Sequence, residues 1–186
     1  TQSLSSAASD VYKRQVLSQR ALRSNAVMSH DAFDMNSDDI VLNILPLFHV
    51  GGLNIQPLPA LILGASVVIH STFNPENVLA TIYNSAITQI TTVPTILGAL
   101  LSHPKWATTN LRSIRMVAIG STDVPTTIIK AVHTRKIPVI QIYGATETSP
   151  TAIYQRAHFA FNSVGSIGQV GCDCEVRLVG PDGHDV

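Results

Sequence analysis

The run Tyr143-Gly144-Ala145-Thr146-Glu147 packs an aromatic ring, a glycine, a hydroxyl and a carboxylate into one short segment. A tyrosine at the end of a strand can lay its ring against a flat heterocycle, a stack worth about 1–3 kcal/mol. Gly144 lets the backbone turn tightly and come close to a ligand. Thr146 offers a hydroxyl to a phosphate oxygen. Glu147 offers a hard oxygen of the kind magnesium takes, one or two at a time, beside substrate phosphates. Seen alone, the same residues also describe a polar loop with a solvated glutamate.

Two further segments could do chemistry. In Pro46-Leu-Phe-His49-Val-Gly51-Gly52-Leu53 a histidine stands between an aromatic residue and a glycine pair at the entry to an apolar stretch. It could line a pocket and orient a substrate, or simply cap a helix. In Gly120-Ser121-Thr122-Asp123-Val-Pro125, small residues could let a purine lie flat against the chain, or Thr122 or Asp123 could cap the next helix. The remaining histidines, at 30, 70, 103, 133, 158 and 184, have no such neighbours and read as structural or solvated.

These segments need elements to position them. Leu17, Ala21, Leu22 and Ala26 fit one helix face, and Asp39–Leu47 reads as a strand ending at a proline. Gly51–Leu63 reads as a helix with Gly64 as its stop. Ser66–His70, Ile87–Pro94, Ser113–Gly120 and Ile137–Ile142 read as strands. Between them fall a helix opened by Asn74-Pro75-Glu76, one running to about Ser102, and Val124–Arg135. Strands alternating with helices predict an α/β fold with a mainly parallel, doubly wound sheet. Ligands of such sheets sit at the carboxyl ends of the strands, where the three segments fall.

The chain has 186 residues, 45% hydrophobic and 13% charged, with twelve basic side chains against twelve acidic ones. That balance argues against a charge-driven nucleic-acid binder. The oily composition points to neighbours, either a partner or further chain. The most apolar stretch, Gly51–Ile69, is broken by Asn54, Gln56, Pro57, Pro59 and Gly64, so it predicts a buried helix and strand rather than a transmembrane segment. The two cysteines, Cys172 and Cys174, lie in an alternating run that predicts a strand with both sulfurs on one side. Two ligands make no zinc site, and the pair suits a reducing, cytoplasmic setting.

LPLFHVGGL, IGSTDVP, QIYGATETSP and GSIGQVGCDCEVRLV, in this order, resemble successive core segments of the adenylate-forming (AMP-dependent synthetase/ligase) superfamily, which includes acyl-CoA synthetases, peptide-synthetase adenylation domains and luciferases. FHVGG resembles the fatty-acid and coumarate-type CoA ligases. The resemblance implies that Tyr143 stacks on adenine, that Gln141, Ile142, Gly144 and Ala145 line the nucleotide pocket, and that Ser121 and Thr122 lie on its other side. It implies Thr146 at the α-phosphate, Glu147 on Mg2+, and His49 near the carboxylate and acyl pocket. The implied substrates are ATP, a fatty or aromatic carboxylic acid and coenzyme A.

The resemblance covers residues 16–186; residues 1–15 read as a non-native or disordered leader. That leader stands where the family carries a Ser/Thr/Gly-rich phosphate loop with a lysine. The family's ribose-binding aspartate and small C-terminal domain would follow Val186. An internal fragment of the large domain is therefore expected, inactive alone. The alternatives are a non-catalytic nucleotide- or partner-binding module with the same fold, and an amino-acid adenylation domain of a peptide synthetase.

Overall fold

The computed structural model describes residues 15–186. The leader and the segment at the phosphate-loop position thus lie, but for Gln15, outside the described residues. Seven strands form one sheet: β1 (Ile40–Asn43), β2 (Ser66–Ile69), β3 (Gln89–Thr92), β4 (Met116–Gly120), β5 (Val139–Gly144), β6 (Thr151–Tyr154) and β7 (Gln169–Val170). Their order is β2-β1-β3-β4-β5-β6-β7. The first five run parallel, and β6 and β7 are antiparallel.

The helices are α1 (Gln19–Phe33), α2 (Val50–Leu53), α3 (Pro57–Leu63), α4 (Pro75–Asn84), α5 (Pro94–Ser102) and α6 (Thr126–His133). They cover both faces of the sheet, each with its own core. On one face Leu42, Ile90, Val117 and Val139 meet Leu79 of α4, Leu97 of α5 and Ile129 of α6. On the other, Val41, Met116, Ala118 and Ile140 meet Met28 and Phe33 of α1 and Ala60 of α3. Consecutive strand residues serve opposite cores, as the two-residue period of a strand requires. This is the predicted doubly wound sheet.

Local chemistry sets the boundaries. Asn74 caps α4 by accepting a bond from the Asn77 N–H at 3.0 Å, with Pro75 first in the helix. Gly64 ends α3 in the left-handed region, φ 86°. The single helix expected over Gly51–Leu63 is instead two, α2 and α3. Pro57 lacks the N–H that would bond back to Leu53, and it starts a new helix at its first position. The strand expected through Cys172 and Cys174 does not form: the chain turns at Cys172 and Asp173, and the sheet ends with β7 at Val170. Cys172 is exposed, while the Cys174 sulfur lies 3.5 Å from the Met28 sulfur. A half-buried sulfur contact and a turn, not an inter-strand ladder, therefore decide where each thiol goes.

Candidate active site

β5 carries its side chains alternately to the two cores, Val139 to one and Ile140 and Ile142 to the other. By the same period Gln141 and Tyr143 share the face of Val139. Gln141 is buried with its side-chain oxygen unpaired, while Tyr143 has emerged from the core and is 55% exposed. The β5–β6 register slips at Tyr143/Gly144, so that Gly144 pairs with Thr151 and the ladder bulges. A bulge of this kind bends its strand and re-aims the side chains beside it.

The turn after the bulge is closed from within. A Cβ on Gly144 would lie 1.5 Å from the Pro150 carbonyl oxygen, so no other residue lets the two strands approach this way. The Thr148 hydroxyl accepts from the Ala145 N–H at 2.8 Å and donates to the Pro150 carbonyl at 2.6 Å. Thr146, Glu147 and Thr148 form a single 3-10 turn. It leaves Ala145 and Glu147 exposed and Thr146 half-buried at the edge of the sheet.

Gly120, the last residue of β4, lies beside Ile142 in the ladder. Ser121 follows in the left-handed region, φ 82°, and Ser121, Thr122 and Asp123 are all exposed. Neither Thr122 nor Asp123 caps a helix. α6 begins beyond them at Thr126, preceded by Pro125, with no side-chain cap bond. The capping alternative therefore falls away for this segment, and its hydroxyls lie on the surface beside the end of β5.

For His49 the capping role is present. Its Nδ1 accepts from the Gly51 N–H at 3.0 Å, at the start of α2. An accepting Nδ1 places the ring proton on Nε2, so the exposed ring presents an N–H donor. His49 thus caps a helix and keeps a free donor at the same time. β1, whose last residue precedes His49 by six, lies three ladder spacings from β5, or about 14 Å at some 4.8 Å per step. The fold brings Ser121 and Thr122 together with Tyr143, Gly144, Ala145, Thr146 and Glu147 on neighbouring strand ends, and sets His49 further along that edge.

Sequence reasoning missed the residues that hold this edge in place. Gln155 accepts the Gln141 N–H through its side chain at 2.8 Å and anchors itself on the Ser163 carbonyl at 2.6 Å. Asn25 of α1, almost fully buried, accepts the Thr151 N–H at 3.1 Å and donates to the Asn54 carbonyl at 2.6 Å. A polar residue on the apolar face marked by Ala21, Leu22 and Ala26 is the signal that could have found it. Tyr154 donates to Asp31 of α1 at 2.6 Å. Burial, then the bond to Asp31, raise its pKa far above the ordinary tyrosine value, so it stays a donor.

Residues 13–186 match the family described as AMP-binding enzyme. The chain belongs to that family. Among its AMP-binding relatives, the indoleacetate–CoA ligase of Aromatoleum aromaticum is 45% identical over 174 residues, 94% of this chain and 34% of the relative. A feruloyl-CoA synthase of Amycolatopsis is 36% identical over 82% of this chain and 31% of its own length. The chain thus spans about a third of the curated relatives it matches. Among solved AMP-binding enzymes, the O-succinylbenzoate coenzyme A synthetase of Bacillus subtilis, in complex with ATP and a magnesium ion, superposes with a TM-score of 0.78 at 30% identity. That match covers 89% of this chain and 34% of the other. No cluster of three or more His, Cys, Asp or Glu that could hold a metal ion occurs among the described residues. A lone exposed carboxylate such as Glu147 suits magnesium, which is commonly held by one or two carboxylates and substrate phosphates.

Proposed function

We propose that this chain is the central part of an acid–CoA ligase that activates an aromatic carboxylic acid with ATP and passes it to coenzyme A. The observation that carries this reading is the shared edge. Tyr143, Thr146 and Glu147 stand beside Ser121 and Thr122 on adjacent strand ends, with the His49 Nε2–H donor on the same edge. The aromatic class rests on the relatives, which are named for indoleacetate and ferulate.

The chemistry suits the residues. A carboxylic acid has a pKa of about 4, so the nucleophile is already ionised at neutral pH and needs no base. Its oxygen attacks the α-phosphorus of ATP, and the bond to pyrophosphate breaks. The thiol of coenzyme A then attacks the acyl carbon, AMP leaves, and the thiol proton passes to solvent. What the protein must supply is alignment and stabilisation of charge. In this reading the Tyr143 ring holds adenine, with Ser121 and Thr122 across from it and Gln141, Ile142, Gly144 and Ala145 forming the wall. The Thr146 hydroxyl donates to an α-phosphate oxygen. Glu147 holds Mg2+, which when bound offsets phosphate charge. The His49 donor meets the carboxylate of the acid. Such a reaction fits a cytoplasmic setting that supplies ATP and coenzyme A.

The test is a calorimetric titration of the chain with a non-hydrolysable indoleacetyl-adenylate mimic. Saturable binding is expected, weakened roughly tenfold in Tyr143→Ala, since a stack worth about 1–3 kcal/mol is removed from an exposed ring. Equal binding by both chains rejects the assignment of Tyr143, whereas binding by neither favours a module that keeps the fold without the ligand.

A further inference from the structure

At the opposite, amino-terminal edge of the sheet lies a cleft of about 470 Å³, in the size range of small-molecule sites. Its polar lining is Asn110, Arg112, Arg135 and Lys136, over a floor that includes the buried Leu111 and Ile137. No acidic side chain lines it. In a chain whose twelve cationic and twelve acidic side chains balance, three cations thus share one cleft unmatched. We propose that this cleft binds a phosphate-bearing anion.

The polar side-chain groups left to a ligand are donors. The Asn110 side-chain oxygen is taken by the Arg112 N–H at 3.1 Å, which leaves the amide NH2. Arg135 is fixed in place: its guanidinium donates to the Trp106 carbonyl and, at 2.8 Å, to the Thr109 carbonyl, and it lies 6.0 Å from the Trp106 ring centroid. Those bonds occupy two carbonyls of the neighbouring loop and hold a charge that needs no ordering when a ligand arrives. Lys136 stands in the left-handed region, φ 59°, with its N–H on the His133 carbonyl at 2.9 Å. Neither Arg112 nor Lys136 forms an ion pair among the described residues.

A cleft with three cationic side chains asks for more acceptors than one carboxylate has. A phosphate brings three oxygens and a charge near −2, and guanidinium groups pair with it through parallel bonds. The site is separate from the nucleotide edge: it sits before β4 and β5, whereas Ser121 and Tyr143 sit at their far ends.

The probe is inorganic pyrophosphate, titrated into the 186-residue chain at 150 mM salt. At that ionic strength the screening length is about 8 Å, which suppresses diffuse attraction. A second arm uses vesicles containing phosphatidylglycerol, to separate a free phosphate from a lipid headgroup. Binding in either arm is expected to fall at least tenfold in the double variant Arg112→Gln/Lys136→Gln, and to survive in Arg23→Gln/Lys130→Gln, which removes the same charge elsewhere. Thermal melting without ligand, unchanged in both variants, confirms that these exposed positions leave the fold intact. Absence of binding in both arms overturns the proposal. So does binding that the first variant retains, or that both variants lose equally.

Discussion

The imidazole of His133, in the last turn of α6, accepts a hydrogen bond through Nε2 from the backbone N–H of Val139, the first residue of β5, at 3.2 Å. The ring also packs on Phe161, centroid to centroid 4.4 Å. A helix end and the start of the strand that leads to Tyr143 are thereby joined through one neutral nitrogen. Burial holds the His133 pKa below the ordinary histidine value of 6.5.

Protonating Nε2 would set a donor against a donor. Because the folded pKa is the depressed one, the contribution of His133 is complete above about pH 6.5, the unfolded value, and is lost as pH falls through the folded value. The urea midpoint is therefore expected to drop between pH 7 and pH 5.5. In His133→Gln, whose amide oxygen can still accept, the drop should be smaller. Equal slopes for the two chains would show that His133 does not titrate in this window.

Asp31 gives a second, more acidic window. Its bond with Arg156, 2.7 Å from Nη2, and the Tyr154 hydroxyl hold its pKa below the ordinary carboxylate value, against the opposing effect of burial. Its contribution is present above about pH 3.9 and lost as pH falls through the folded value. Asp31→Asn should flatten the acid limb of a stability–pH curve. At pH 7, Tyr154→Phe should cost about 1.5 kcal/mol, the low end for a bond to a charged acceptor. A loss under 0.5 kcal/mol, measured by urea unfolding, would mean that Arg156 alone satisfies Asp31.

Gly144→Ala tests the turn. The added methyl meets a backbone carbonyl oxygen, which cannot swing aside as a flexible side chain would. The cost should reach or exceed the upper end of the 1–3 kcal/mol typical of overpacking, and mimic binding should be lost with it. A variant with unchanged melting and binding would show that the β5–β6 turn relaxes freely.

Glu147→Ala addresses the metal role. In the chain joined to its native flanks, adenylate formation should fall by about 10²–10³, the scale for losing one electrostatic contact in a transition state. Stability should not change, since Glu147 is exposed. Unaltered turnover would remove Glu147 from the mechanism.

How much of this was legible in the sequence differs by level. Alternation of β-branched runs with helical stretches is a local, periodic signal, and it survives in the parallel strands β1 to β5. Stops and starts with their own chemistry, such as Gly64 and Asn74-Pro75, were legible for the same reason. Pro57 was visible too, but the apolar run around it outweighed a break that only the missing N–H dictates. Alternation misled at Cys174, where β7 had already ended the sheet and the sulfur found Met28 instead. The site residues were readable because they cluster right after strands. Their supports were not: Gln155 reaches Gln141, and Asn25 reaches Thr151, across folds of the chain that no local pattern encodes.

Asn25 offers the sharpest test of those supports. It is 1% exposed, and its amide joins α1 to two segments at once, the first residue of β6 and the turn between α2 and α3. Removing it leaves the Thr151 N–H and the Asn54 carbonyl without a partner in a buried setting. Each such orphan costs about 1–3 kcal/mol, so Asn25→Ala should lose about 2–6 kcal/mol. Asn25→Asp keeps the acceptor for Thr151 but sets a buried carboxylate oxygen against the Asn54 carbonyl, so it should cost at least as much as Asn25→Ala. Hydrogen exchange at the Thr151 amide separates the two contacts: fast in Asn25→Ala, slow in Asn25→Asp. If both variants protect that amide as the parent chain does, Asn25 is not what ties α1 to the strand behind the nucleotide edge.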